Sequence, residues 1–86
     1  MTPEYTPIQR PRLSDELVRR ILSLIDEGRF VAGDRLPPIA EMARRFRVAR
    51  ATVREALFKL ELLRVVEIRH GTGVYVRVRS ADDRAA

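Results

Sequence analysis

Residues 50–73 constrain the fold more than any other part of the chain. The run Arg50-Ala51-Thr52-Val53-Arg54-Glu55-Ala56-Leu57 has helical periodicity and carries arginine at i and i+4, so both guanidinium groups project toward one side. The run Val65-Val66-Glu67-Ile68-Arg69-His70-Gly71-Thr72-Gly73 follows, and its His-Gly-Thr-Gly stretch predicts a hairpin turn. A short basic helix with a hairpin beside it suits a surface that reads DNA.

Size and charge agree with that reading. The chain has 86 residues, with 17 Lys+Arg against 12 Asp+Glu and a formal charge of +5. That predicts one small domain with a basic surface and a single modest core. The absence of cysteine rules out disulfides, thiolate metal sites and a cysteine nucleophile. No stretch of eighteen apolar residues occurs, and the proline-containing N-terminus has no apolar signal core. A soluble protein of the cytoplasm, at the nucleoid, is expected, without membrane contact.

Pro3, Pro7 and Pro11 predict that residues 1–12 form a flexible arm. Its Arg10 and Arg12 are either phosphate contacts or part of a solvated tail. Ser14 reads as an N-cap, with Asp15 and Glu16 complementing the dipole of a first helix over residues 14–27. Leu13, Leu17, Ile21 and Leu24 would form its inner stripe, with Val18 and Ile25 on the shoulder and Gly28 as the stop. Phe30 and Val31 before the Gly33-Asp34 turn pair predict a short strand within residues 29–36.

Pro37-Pro38 opens a second helix, in which Ile39, Met42, Ala43 and Phe46 turn inward and Glu41, Arg44 and Arg45 face solvent. A third helix over residues 50–63 puts Val53, Ala56, Leu57 and Leu60 inside. The turn of three or four residues between the two is helix-turn-helix spacing. Strands are expected over residues 65–68 and 74–78. Residues 79–86 read as a tail or the start of a linker, so the folded domain should span residues 13–78.

Leu36-Pro37, Ala43, Phe46, Val48, Arg50, Thr52-Val53-Arg54-Glu55-Ala56-Leu57, Leu60-Glu61 and His70-Gly71-x-Gly73 stand in one order and spacing. Together with Gly33-Asp34-Arg35-Leu36-Pro37 they resemble the N-terminal domain of the GntR family of bacterial transcription regulators, over residue 14 to about residue 76. The resemblance implies an α+β fold, a winged helix-turn-helix of three helices plus a C-terminal β-hairpin wing. It also implies DNA binding as a homodimer, and a larger effector-binding C-terminal domain that this chain lacks. A chain ending just past the second strand is expected of an excised domain.

The chain departs from the family pattern at several positions. Ile39 and Ala40 stand where a polar and then a basic residue are common, Arg47 and Arg64 where glycine is usual, and Ala49 where Ser or Thr caps the recognition helix. The missing cap is expected to cost about 1 kcal/mol, and Arg47 must adopt or avoid a left-handed conformation.

Arg50 and Arg54, near the start of the third helix, are the candidates for base contacts in the major groove, because arginine can pair two donors with guanine N7 and O6. Ala51 between them is either a close-approach point for a thymine methyl or a bland exposed alanine. Arg44, Arg45 and Arg47 are candidates for the DNA backbone, which they would grip without reading sequence. Thr52 either approaches phosphate or packs at the turn. Salt bridges of Arg50 to Glu41, or of Arg54 with Glu55, are the bland alternative.

In the wing, Arg69, His70, Gly71 and Thr72 are the candidate minor-groove contacts. His70 has no second histidine or cysteine with which to hold a metal. Phe58 and Leu62, at i and i+4 on the outward side of the third helix, are a candidate interface with a partner subunit or an absent C-terminal domain. The competing reading buries them under the hairpin or the first helix.

The function this supports is a sequence-specific transcription regulator, a repressor, acting on a two-fold, palindromic operator in double-stranded DNA. A winged-helix protein-interaction module and a non-specific basic DNA-binding protein are the alternatives. With no nucleophile–base pair, metal cluster or phosphate loop in view, neither an enzyme nor a cofactor is expected.

Overall fold

The computed structural model describes residues 11–77, in the order α1 (Pro11–Asp26), α2 (Ile39–Phe46), α3 (Arg50–Leu62), β1 (Val66–Arg69) and β2 (Gly73–Val76). The arm residues 1–10 and the tail 79–86, with Val78, lie outside the described residues. Helices α1 and α2 both pack on α3, and the two strands pair antiparallel with Val66 opposite Val76 and Arg69 opposite Gly73. This is the three-helix and hairpin arrangement expected of a winged helix-turn-helix.

Apolar spacing placed most of the core correctly. Val53, Ala56, Leu57 and Leu60 form the buried face of α3, and Met42 and Ala43 that of α2, with Ile39 and Phe46 packed at its margin. Leu36, Val65, Val66 and Val76 close the core from the hairpin side.

Helix α1 differs from expectation. It begins at Pro11, so Pro11 and Arg12 belong to the helix and not to the arm; proline at a helix start needs no amide partner. Ser14 is therefore no N-cap. It is 1% exposed and faces α3, where its Oγ donates to Glu55 Oε2 at 2.8 Å and accepts from Lys59 Nζ at 2.8 Å. Lys59 Nζ also donates to Asp15 Oδ1 at 2.7 Å, so Asp15 serves the α1–α3 contact. This hydrogen bond, chiefly, raises the Lys59 pKa above its ordinary value, with desolvation opposing and Glu55 assisting. With Ser14 inward, the buried stripe is Ser14, Leu17, Val18 and Ile21; Leu13 is 55% exposed and Leu24 only half-buried.

The three helices end alike. After α1, Gly28 at φ 80° lets Gly28 N–H donate to Ile25 O and Arg29 N–H to Leu24 O. After α2, Arg47 takes that left-handed position at φ 57°, with Val48 N–H on Ala43 O; after α3, Arg64 does so at φ 63°, with Val65 N–H on Leu60 O. All three are left-handed caps that satisfy the last carbonyls, two of them built on arginine.

Phe30 and Val31 form no strand. Instead Asp34 accepts from Val31 N–H in a turn, and the residues after it dock on β2, where Leu36 N–H donates to Val74 O and Val76 N–H to Asp34 O, both at 2.8 Å. The strands begin one residue later, or sooner, than periodicity suggests. Val65 is spent on the α3 cap, and Gly73 already pairs with Arg69.

Candidate nucleic-acid interface

Three residues, 47–49, separate α2 from α3. Left-handed Arg47 reverses the chain, and Ala49 at φ −68°, ψ 151° starts α3 without a side-chain cap. The amides of Arg50 and Ala51, ahead of the Thr52 N–H that bonds to Ala49 O, have no acceptor within the helix, which leaves its positive end open to an anion. Because Val53, Ala56, Leu57 and Leu60 fix the inner face, Arg50, Ala51 and Arg54 are all turned outward and exposed.

The nearby acids are engaged elsewhere. Glu41 pairs with Arg45 at 3.1 Å, and Glu55 serves Ser14 and Lys59. The suggested Arg50–Glu41 and Arg54–Glu55 pairs do not form. Among the described residues Arg44, Arg47, Arg50 and Arg54 have no ion-pair partner, so this side of the helix-turn-helix presents uncompensated positive charge. Thr52 is half-buried, its N–H donating to Ala49 O at 3.0 Å.

At the wing, residues 70–72 join the strands, and Thr72 closes the turn by donating from its N–H to Arg69 O at 3.0 Å and from its Oγ1 to the same oxygen at 3.2 Å. His70, Gly71 and Thr72 are exposed at the tip. Arg69 is turned back along the hairpin, with its guanidinium 4.5 Å from the Tyr75 ring centroid and 3.3 Å from Glu67 Oε1. Glu61 fastens the wing to α3 by accepting from Ile68 N–H at 3.1 Å. Sequence reasoning noted Glu61 only as part of a motif, since its partner is a backbone amide and leaves no side-chain signature.

Phe58 and Leu62 are 56% and 68% exposed, and Leu63, absent from the sequence reading, is 58% exposed. They are buried under neither the hairpin nor α1. At 100° per residue, Phe58 and Leu62 continue the stripe of Ala51, so the outer face of α3 passes from basic at its start to apolar at its end. No cluster of three or more His, Cys, Asp or Glu able to hold a metal occurs among the described residues, and none of their helices is long and apolar enough to cross a membrane.

A recognition-type helix carrying unpaired arginines, beside a hairpin wing, defines the class: a winged helix-turn-helix nucleic-acid-binding domain. The sequence profile of the gntR family of bacterial regulatory proteins matches residues 13–76, and the chain belongs to that family of DNA-binding transcription regulators. It is 44% identical over 71 residues to the Uxu operon transcriptional regulator of Escherichia coli K12, covering 83% of this chain and 27% of the relative. A putative GntR regulator from Rhodococcus sp. RHA1 superposes with a TM-score of 0.71 at 32% identity, over 84% of this chain and 34% of that one. The DNA-binding domain of AraR, in complex with an operator, shares the fold with a TM-score of 0.71 at 21% identity, over 88% of each chain. The chain thus spans about a quarter of the length of curated relatives such as the Uxu regulator.

Proposed function

We propose that this domain reads a specific sequence in double-stranded DNA by laying the start of α3 in the major groove and the tip of the wing, His70 to Thr72, in the adjacent minor groove. The observation that carries the reading is the exposed, unpaired Arg50 and Arg54 on the outer face of α3. Placed against base edges, each can donate two hydrogen bonds to guanine, which no other base accepts in that pattern. Ala51 between them leaves room for the helix to approach. Arg44, Arg47 and Thr52 then meet the phosphate backbone around the turn and set the register, while Arg45, its charge matched by Glu41 at 3.1 Å, adds little to that contact. The capless start of α3 favours a phosphate at the same place.

The AraR domain of like fold is bound to an operator, which supports the same use here. Two copies on a two-fold operator, one recognition helix per half-site, follow from the geometry of such domains, and the apolar strip of Phe58, Leu62 and Leu63 offers a surface for the second copy. Occupying the operator represses by excluding polymerase. In a regulator of the length of its relatives, ligand control would rest with sequence beyond this domain. Fluorescence anisotropy with labelled duplexes tests the reading: Arg50→Ala/Arg54→Ala should abolish preference for any one sequence while weak, salt-sensitive binding persists. Unchanged discrimination in that variant would refute it.

A further inference from the structure

The outer face of the wing receives two arginines, and the structure uses them differently. The segment before α2 lies along β2 as a third line of backbone, with Gly33 N–H on Val76 O and Leu36 N–H on Val74 O at 2.8 Å each, and with Arg35 directly opposite Tyr75. Opposed residues in such pairings share a face. Arg35, Tyr75 and Glu67 therefore form one row, and Gly73 and Arg69 the next row toward the turn.

Arg69 leans away from the turn, onto Tyr75 and Glu67. Arg35 leans toward it: a β-carbon on Gly73 would stand 2.6 Å from Arg35 Nε and 3.2 Å from Cζ, so the guanidinium fills the space of the missing side chain. Gly73 itself sits at φ 143°, a conformation that glycine adopts without penalty. Arg35 is exposed and borders one cleft with Arg69, His70, Gly71 and Thr72, but unlike Arg69 it has no ion pair among the described residues.

We infer that Arg35, seated on Gly73, is the wing's phosphate-binding cation, gripping the DNA backbone beside the groove the tip enters, while Arg69 stiffens the hairpin. The inference rests on the DNA-binding reading above. It assigns a contact to the loop before α2, outside the helix-turn-helix and the wing turn. Arg69 has its charge already matched by Glu67 and its flat face by the ring, so it contributes little net charge to a phosphate. Arg35 has no such competitor.

The test is anisotropy of the full 86-residue chain on a mixed-sequence duplex across a salt series, comparing Arg35→Gln, Arg69→Gln, Gly73→Ala and Arg35→Gln/Gly73→Ala. Losing one phosphate contact flattens the slope of log K against log salt by about 0.9, which extrapolates to about eight-fold weaker binding at about 0.1 M salt. Arg35→Gln should show both effects and Arg69→Gln neither. Gly73→Ala should displace the guanidinium and weaken binding as much as Arg35→Gln, with no further loss in the double variant. Should Gly73→Ala disturb the hairpin, seen as altered amide NMR shifts in β1 and β2, the two arginine variants decide alone. Wild-type affinity and slope in Arg35→Gln, or an equal loss in Arg69→Gln, would overturn the inference while leaving the DNA reading intact. Failure of the unsubstituted chain to bind the duplex at any salt would overturn both.

Discussion

Replacing Arg47 by glycine should make the domain more stable and a weaker DNA binder. Arg47 holds φ 57°, ψ 50° at the end of α2, where a side chain costs about 1–2 kcal/mol relative to right-handed backbone. Glycine escapes that cost but gives up about 0.5–1 kcal/mol of additional unfolded-state entropy, so Arg47→Gly should gain about 0.5–1 kcal/mol. For a domain of this size that is a rise of about 4 °C in Tm, measurable by circular dichroism. The same change removes one of the cations proposed for the DNA backbone, flattening the salt slope by about 0.9. Arg64→Gly is the matched control. It relieves the same left-handed backbone, at φ 63° after α3, on the far side of that helix from its DNA-reading start, and should raise Tm comparably while leaving the slope unchanged. A lower Tm in both variants would refute the strain argument; an unaltered slope in Arg47→Gly would refute the backbone contact.

Three further outcomes follow from the packing. Ser14→Ala removes a buried hydroxyl that both donates to Glu55 and accepts from Lys59, and should cost about 1 kcal/mol in urea unfolding, whereas a mere helix-cap or surface serine at this site would predict recovery with Ser14→Asp. Glu61→Ala leaves Ile68 N–H without its carboxylate, so amide exchange at Ile68 should accelerate and stability fall by about 1.5 kcal/mol, with α3 exchange little changed. Phe58→Glu, on a residue 56% exposed, should leave the unfolding free energy within about 0.5 kcal/mol of wild type and reduce self-association in sedimentation; no change in oligomeric state would rule the strip out as the dimer contact.

The helix-turn-helix was legible in the sequence because its determinants are local. Ile39, Met42, Ala43 and Phe46 repeat at helical spacing, as do Val53, Ala56, Leu57 and Leu60, and the three residues between the helices set their meeting. The hairpin was legible for the same reason, through alternation around His70-Gly71-Thr72-Gly73. What escaped depends on partners far along the chain. Ser14 followed by two acids satisfies every local rule for an N-cap, yet Glu55 and Lys59, more than forty residues on, claim its hydroxyl. Phe30 and Val31 have strand propensity, but β2 offers its free edge to residues 33–36. On the candidate interface the sequence showed which arginines share a helix face; it did not show which acids would neutralise them. Glu41 took Arg45 and Glu67 took Arg69, leaving Arg50, Arg54 and Arg35 open.

We propose that α3 reads base sequence through Arg50 and Arg54. Selection from random duplex DNA by the purified 86-residue chain at near-physiological salt, in parallel with Arg50→Ala/Arg54→Ala, tests it most directly. The expected result is enrichment of a palindromic motif with guanines at fixed positions in each half-site, lost in the double variant. Enrichment of the same motif by both proteins, or of none by the folded wild-type domain, would contradict it.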